Sequence, residues 1–232
     1  MRLCAFALIL VKQKTAIEDL LKVMARLRSP NGCPWDREQD HMTLRRHAIE
    51  EVYELIDAIE AGDDHEMAEE LGDLLLQVVF HCQLAKERDA FDFEKVTRHL
   101  VDKLTRRHPH VFGNTKVKDV DEVWANWEKI KHAEKKGTRH ERPSALDGIP
   151  KHLPALLRAE KLVKKARKAF LLPPAKSRRK LSQATVARKL FELTEYAQQR
   201  GWSAEELLSE RTQQHELALR RVESAKAARQ KI

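Results

Sequence analysis

Glycine and proline are scarce, with 7 and 8 residues in a chain of 232. So few glycines leave little room for loops that cradle phosphate on backbone N–H groups, and neither GxGxxG nor GxxxxGK[ST] occurs. Dinucleotide-binding and P-loop architectures are therefore excluded. Cysteine is scarcer still. Cys4, Cys33 and Cys82 lie far apart, are odd in number and form no CxxC. That excludes a disulfide framework and a zinc ribbon, and it fits a reducing cytoplasm. Long apolar runs are also missing. Residues 3–11 are apolar, but a bilayer needs about 20 such residues. Residues 11–14 offer no small-residue cleavage site, so 1–14 read as a short N-terminal helical extension or as the product of a start codon placed too early.

What remains is rich in Ala, Leu, Glu, Lys, Gln and Arg, which favours helices almost throughout. Hydrophobic residues make up 42% and charged residues 34%, the balance of a soluble globular chain. The net charge of +8 is unevenly placed. Residues 151–232 hold 20 Lys and Arg against 8 Asp and Glu, while residues 1–150 hold 24 against 28. The acidic excess is densest from Glu50 to Asp73, where 11 of 24 residues are carboxylates and none is Lys or Arg. Such a run is either a solvated acidic face or a cation site.

Apolar periodicity predicts helices over about 15–28, 43–61, 63–88, 92–107, 121–136, 153–169, 182–200 and 203–229. Thr15 and Asp92 are expected caps, and Gly62 is the expected stop between the second and third helices. No segment alternates as a strand. The fold class is all-α, an antiparallel helix bundle, with a linker at 137–151.

On the second helix Val52, Leu55, Ile56 and Ile59 form one apolar stripe. Glu54 follows Glu50 and Glu51 at i+4 and i+3, so the three project together. The third helix carries Glu70 and Asp73, again at i+3, and continues into residues 74–84, apolar nearly all round and expected to be buried. Glu70 and Asp73 share a face with Gln77 and Phe80. Carboxylates entering a buried helix without Lys or Arg need compensation, and a metal ion is the simplest. Oxygen-only ligands suit Mg²⁺ or Mn²⁺ better than zinc. An acidic surface with ExxE spacing by chance is the competing reading from spacing alone.

The order of motifs adds to this. Cys33-Pro34-Trp35-Asp36, Glu50-Glu51-Val52-Tyr53-Glu54, Glu70-Leu71-Gly72-Asp73-Leu74-Leu75 and the run from Lys103 through Arg107-His108-Pro109-His110-Val111-Phe112-Gly113 follow one another. This arrangement resembles the MazG family of nucleoside triphosphate pyrophosphohydrolases. The resemblance implies an all-α, Mg²⁺-dependent enzyme that releases pyrophosphate from nucleoside triphosphates and leaves the monophosphate. By motif position it implies Glu51, Glu54, Glu70 and Asp73 as metal ligands and Glu50 as the group that orients or deprotonates the attacking water. It also implies Lys103, Arg107, Trp127 and Lys131 as substrate-binding residues, and a homodimer that completes the bundle. For Lys103 and Arg107 a favourable charge at a helix C-terminus is an equal alternative. For Trp127 a core role is the other reading.

On this resemblance 15–136 are a catalytic domain, and 152–232 a connector helix with a degenerate second copy. There Thr185 and Arg188 stand where Glu70 and Asp73 would be, and Gln214 and Ala218 where Lys103 and Arg107 would be. The expected role lies in nucleotide-pool house-cleaning or in the control of a stress nucleotide. Two other classes compete: a catalytically reduced regulator, and a basic nucleic-acid-associated protein using Lys164, Lys165, Arg167, Lys168 and the cluster Lys176, Arg178, Arg179 and Lys180.

Overall fold

Every regular element among the described residues of the computed structural model is a helix. The structure describes residues 15–139, 141–173 and 181–229. The N-terminal extension at 1–14 and the basic cluster from Lys176 to Lys180 lie outside the described residues. The chain divides into two compact units, with the boundary between Lys118 and Asp119.

The first unit contains α1 (Ala16–Leu27), α2 (Pro34–Glu38), a single 3-10 turn (Thr43–Arg45), α3 (His47–Ala61), α4 (Asp64–Lys86), α5 (Phe93–Arg107) and α6 (Pro109–Phe112). The starts follow from side-chain chemistry. Glu18 accepts from the N–H of Thr15 at 2.9 Å, and Asp63 accepts from the N–H groups of His65 and Glu66 at 2.9 and 3.2 Å. Asp92 accepts from the N–H of Lys95 at 2.9 Å. Each satisfies donors that an open helix end would leave bare. Gly62 ends α3 at φ +70°, a left-handed conformation that glycine adopts without a Cβ penalty. The chain turns there at once into α4, so α3 and α4 pack side by side.

Helix α4 is the axis of this unit, with α1 and α5 packed on it. Met24, Leu44, Val79, Phe80 and Leu84 form the core, flanked by Leu20, Leu21, Leu76 and Phe93. Arg28 ties the C-terminal end of α1 to the rest. Its guanidinium holds both oxygens of Glu87 at 2.7 Å, donates to the carbonyls of Asp36 and Gln39, and lies 5.5 Å over the ring of Phe80. Trp35 is half exposed with its edge toward His47, whereas Asp36 is buried within α2, whose cap is Cys33.

Two apolar stripes behave differently from the sequence expectation. On α3, Val52, Ile56 and Ile59 remain exposed, as do Leu71, Leu75 and Val78 on α4. Residues 74–84 are thus buried on one side only, because this unit has helices enough to cover one face of α4 and none over the outer face of the α3–α4 pair. Residues 34–38 and 109–112 read as loop in the sequence, and are short helices opened by Pro34 and Pro109.

The second unit contains α7 (Val120–Ala133), α8 (Ala155–Lys168), α9 (Gln183–Gln199) and α10 (Ala204–Arg229). Helices α8 and α10 run in the same direction. Ala155 meets Glu205, Arg158 meets Glu216 at 2.5 Å, and Phe170 meets Lys226. Leu146, Leu162, Ala166, Leu171 and Leu219 form the core between them. Leu146 belongs to the stretch that reads as a linker. Residues 141–150 are instead strapped to α10: Glu223 accepts from Ser144 Oγ at 2.5 Å and from the N–H of Ala145 at 2.8 Å, and Arg220 holds Asp147 at 2.8 Å. No helix among the described residues is long and apolar enough to cross a membrane.

Candidate active site

The α3–α4 pair brings three carboxylates together. Glu51 comes from α3, and Glu70 and Asp73 sit one turn apart on α4. Each offers one oxygen, and those oxygens lie within 4.8 Å of one another. All three side chains are partly buried. None is ion-paired to Lys or Arg among the described residues.

The electrostatics follow from that geometry. Burial holds Glu51 above the ordinary carboxylate range, and the charges of Asp73 and Glu54 add to it. A hydrogen bond from Gln77 Nε2, at 3.2 Å, pulls the other way. Glu70 is raised as well, by desolvation first and then by Glu54, Asp73 and Glu51. Glu51 and Glu70, each raised in part by its acidic neighbours in a partly dehydrated place, form with Asp73 a centre of unneutralised charge. Gln77 itself is buried, and its Oε1 has no hydrogen-bond partner. It lies one turn beyond Asp73, on the face the sequence had marked, but nothing in that pattern showed that it reaches across to α3.

The donor set is all oxygen, negatively charged and spaced for one small cation. These residues fit a hard divalent metal ion, which binds through carboxylates and retained waters.

The other residues singled out in the sequence are placed as follows. Glu54 is exposed on α3, close enough to raise both Glu51 and Glu70, but outside the converging three. Glu50 is exposed and turned toward His47, 3.2 Å from its Nδ1. Lys103 is exposed and Arg107 half-buried, both on α5 and one turn apart. Trp127 and Lys131 are on α7, in the second unit. Trp127 stacks on Trp124 with centroids 5.3 Å apart and planes 8° from parallel, and Lys131 lies 3.5 Å from Glu128.

Residues 39–112 match the family model described as the MazG nucleotide pyrophosphohydrolase domain. The chain carries a MazG domain. It contains Glu50, Glu51, Glu54, Glu70, Asp73, Lys103 and Arg107, whereas Trp127 and Lys131 lie beyond the matched residues. Curated relatives extend the likeness past that domain. A nucleoside triphosphate pyrophosphohydrolase of Escherichia coli strain K12 is 49% identical over 150 residues, which is 64% of this chain and 56% of that protein. A nucleoside triphosphate pyrophosphohydrolase/pyrophosphatase MazG of Thermotoga maritima is 48% identical over 149 residues, 64% of this chain and 56% of that protein. An uncharacterised 26.1 kDa protein of Streptomyces cacaoi is 46% identical over 153 residues, 65% of this chain and 61% of that protein. The chain thus spans little more than half the length of the first two of these relatives. A crystal structure of a mazG-related protein from Thermotoga maritima superposes with a TM-score of 0.42 at 27% identity, over 49% of this chain and 97% of that one, a likeness too slight to argue from.

Proposed function

We propose that this chain is a Mg²⁺-dependent nucleoside triphosphate pyrophosphohydrolase whose site is the MazG domain. The observation that carries this reading is the convergence of Glu51, Glu70 and Asp73 without a counter-charge. Glu54, one turn from Glu51, completes the acidic set. When bound, Mg²⁺ supplies neutralisation of the phosphate oxygens and a more acidic water.

The chain's own residues do the rest. Gln77 fixes the orientation of Glu51. Glu50, exposed and one residue before Glu51 on α3, takes a proton from the attacking water. The water oxygen bonds to the α-phosphorus, and the bond from that phosphorus to the bridging oxygen breaks. Nucleoside monophosphate and pyrophosphate leave. Lys103 and Arg107 hold the β- and γ-phosphates through charge-assisted hydrogen bonds. Trp127 as a base-stacking residue and Lys131 as a phosphate partner enter the same assay as Trp127→Ala and Lys131→Gln. The role in the cell is nucleotide-pool house-cleaning or control of a stress nucleotide, in the reducing cytoplasm that the free thiols Cys33 and Cys82 suit.

The exposed apolar faces of α3 and α4 support a homodimer, in which a second copy covers Val52, Ile56, Ile59, Leu71, Leu75 and Val78.

Product analysis with each ribo- and deoxyribonucleoside triphosphate tests the reaction. Monophosphate and pyrophosphate should appear with Mg²⁺ and vanish in EDTA or with Glu54→Gln. Diphosphate and orthophosphate would place the cleavage at the wrong bond and sink the reading.

A further inference from the structure

The second unit contains a cleft of about 1100 Å³ formed by α7, the 141–150 strap and α8. Nine Lys and Arg side chains line it against four carboxylates. Four of the cations, Lys161, Lys164, Lys165 and Lys168, sit on α8 at i, i+3, i+4 and i+7, one face of one helix. Like charges at i,i+4 repel, so this stripe is unfavourable by itself. A favourable charge at the helix C-terminus accounts for the last turn of α8. It does not account for Lys129 from α7, Lys136 or Arg142, which other elements bring to the same cleft.

Three of the four carboxylates of the cleft are committed to groups other than its cations, and the fourth, Glu128, pairs with Lys131 of the cleft itself. Glu223 holds Ser144 and Ala145, Asp147 holds Arg220, Glu141 accepts from the N–H of Gly137, and Glu128 faces Lys131. Among the described residues, none forms an ion pair with Lys161, Lys164 or Lys168. Lys165 is drawn inward and donates to the carbonyl of Ala145 at 3.2 Å. Burial lowers its pKa, and the charges of Lys131 and Arg142 add to this against the pull of Glu128 and Asp147. No aromatic side chain lines the cleft among the described residues, so it offers no platform for a base.

We propose that this cleft within the second unit is an anion site that takes a compact oligophosphate through the lysine face of α8 and Arg142. The ligand chemistry is a chain of phosphate groups, either inorganic pyrophosphate or the phosphate tail of a nucleotide. The concave shape and the committed carboxylates favour such a ligand over an extended nucleic-acid backbone. The proposal does not rest on the catalytic reading, since the residues it invokes, the lysines of α8 and Arg142, are none of those that reading uses.

The experiment is calorimetric titration of the full chain in EDTA with pyrophosphate and, separately, with ATP and a single-stranded oligonucleotide. Saturable binding of pyrophosphate at one site per chain is expected. It should weaken by about tenfold for each of Lys161→Gln and Lys164→Gln, and persist in Glu54→Gln. Tighter binding of pyrophosphate than of ATP assigns the inorganic source, and the reverse assigns the nucleotide tail. Acetylation footprinting of the wild-type chain provides a reading free of folding effects: pyrophosphate should protect Lys161, Lys164 and Lys168 and leave Lys86 unprotected. No saturable binding, affinity unchanged in both lysine variants, uniform acetylation, or an oligonucleotide that binds tighter than either phosphate ligand would overturn the proposal.

Discussion

At the scale of the residue, the acidic cluster is defined as much by Gln77 as by its carboxylates. Its amide N–H is the larger of two influences, the other being His47, that lower the pKa of Glu51 against burial and two neighbouring charges. Removing it in Gln77→Met should raise that pKa further. The acid limb of the activity–pH profile then moves to higher pH, and activity near neutrality falls by about 10–100-fold, the usual cost of losing a partner behind a metal ligand. A profile unchanged in position would show that Gln77 merely fills space. Glu70 gives a second prediction, on stability. Its folded-state pKa is raised, so its contribution is complete below the unfolded pKa and is lost as pH rises through the folded value. Without metal this group should therefore make the chain melt higher at pH 5 than at pH 7. Glu70→Gln should flatten that difference and remove the stabilisation by Mg²⁺, readable as melting temperature with and without EDTA. The spacing in the sequence identified these carboxylates as one face of each helix. It did not show that Glu54 would stand exposed beside the converging three or that Glu50 would turn toward His47, because helical spacing fixes the face of a side chain and not the partner across from it.

At the scale of the element, the long helices were legible because they carry two signals at once, an apolar period and a chemical start. Asp63 and Asp92 cap where their side chains reach free N–H groups, and Gly62 stops α3 where a left-handed residue is needed. Helices α2 and α6 were not legible. At five and four residues they are too short for a period, and their Pro first residues also read as loop. The strap at 141–150 escaped for a similar reason, since its one fully buried anchor, Leu146, stands among turn residues. Arg28 shows what joins elements once they form. It links the end of α1, the α2 segment and the end of α4 through Glu87 and two carbonyls, and its hydrogen bond is what lowers the pKa of Glu87. Arg28→Met should cost about 2–3 kcal/mol, below the range for a fully buried pair because Glu87 is partly open to water. The loss should appear in urea unfolding as a lower midpoint with an unchanged slope. Arg28→Lys should recover only part of it, since an ammonium cannot grip both oxygens of Glu87 and a carbonyl together.

At the scale of the whole molecule, the unresolved contradiction in the sequence is the apolar stripe of α3. Its period marks it as a core face, and yet Ile59 is 55% and Val52 41% exposed. The same holds for Leu71, Leu75 and Val78 on α4, so the exposed apolar residues belong to two helices already packed on each other. Periodicity states that such a face must be covered and is silent on whether the cover comes from the same chain. In the homodimer proposed above, a second copy would meet the requirement with a self-complementary patch, the commonest form of closed assembly. Sedimentation at micromolar concentration should therefore give twice the 26.9 kDa of one chain. Ile59→Glu would place a charge in that patch at a position already half exposed in the single chain, so the fold of one copy has little to lose. It should shift the mass toward one chain and lower the melting temperature in a concentration-dependent way, because stability borrowed from association follows mass action. If Ile59→Glu left both the mass and the concentration dependence of melting as in the wild type, the face would be covered by something other than a second copy of this chain.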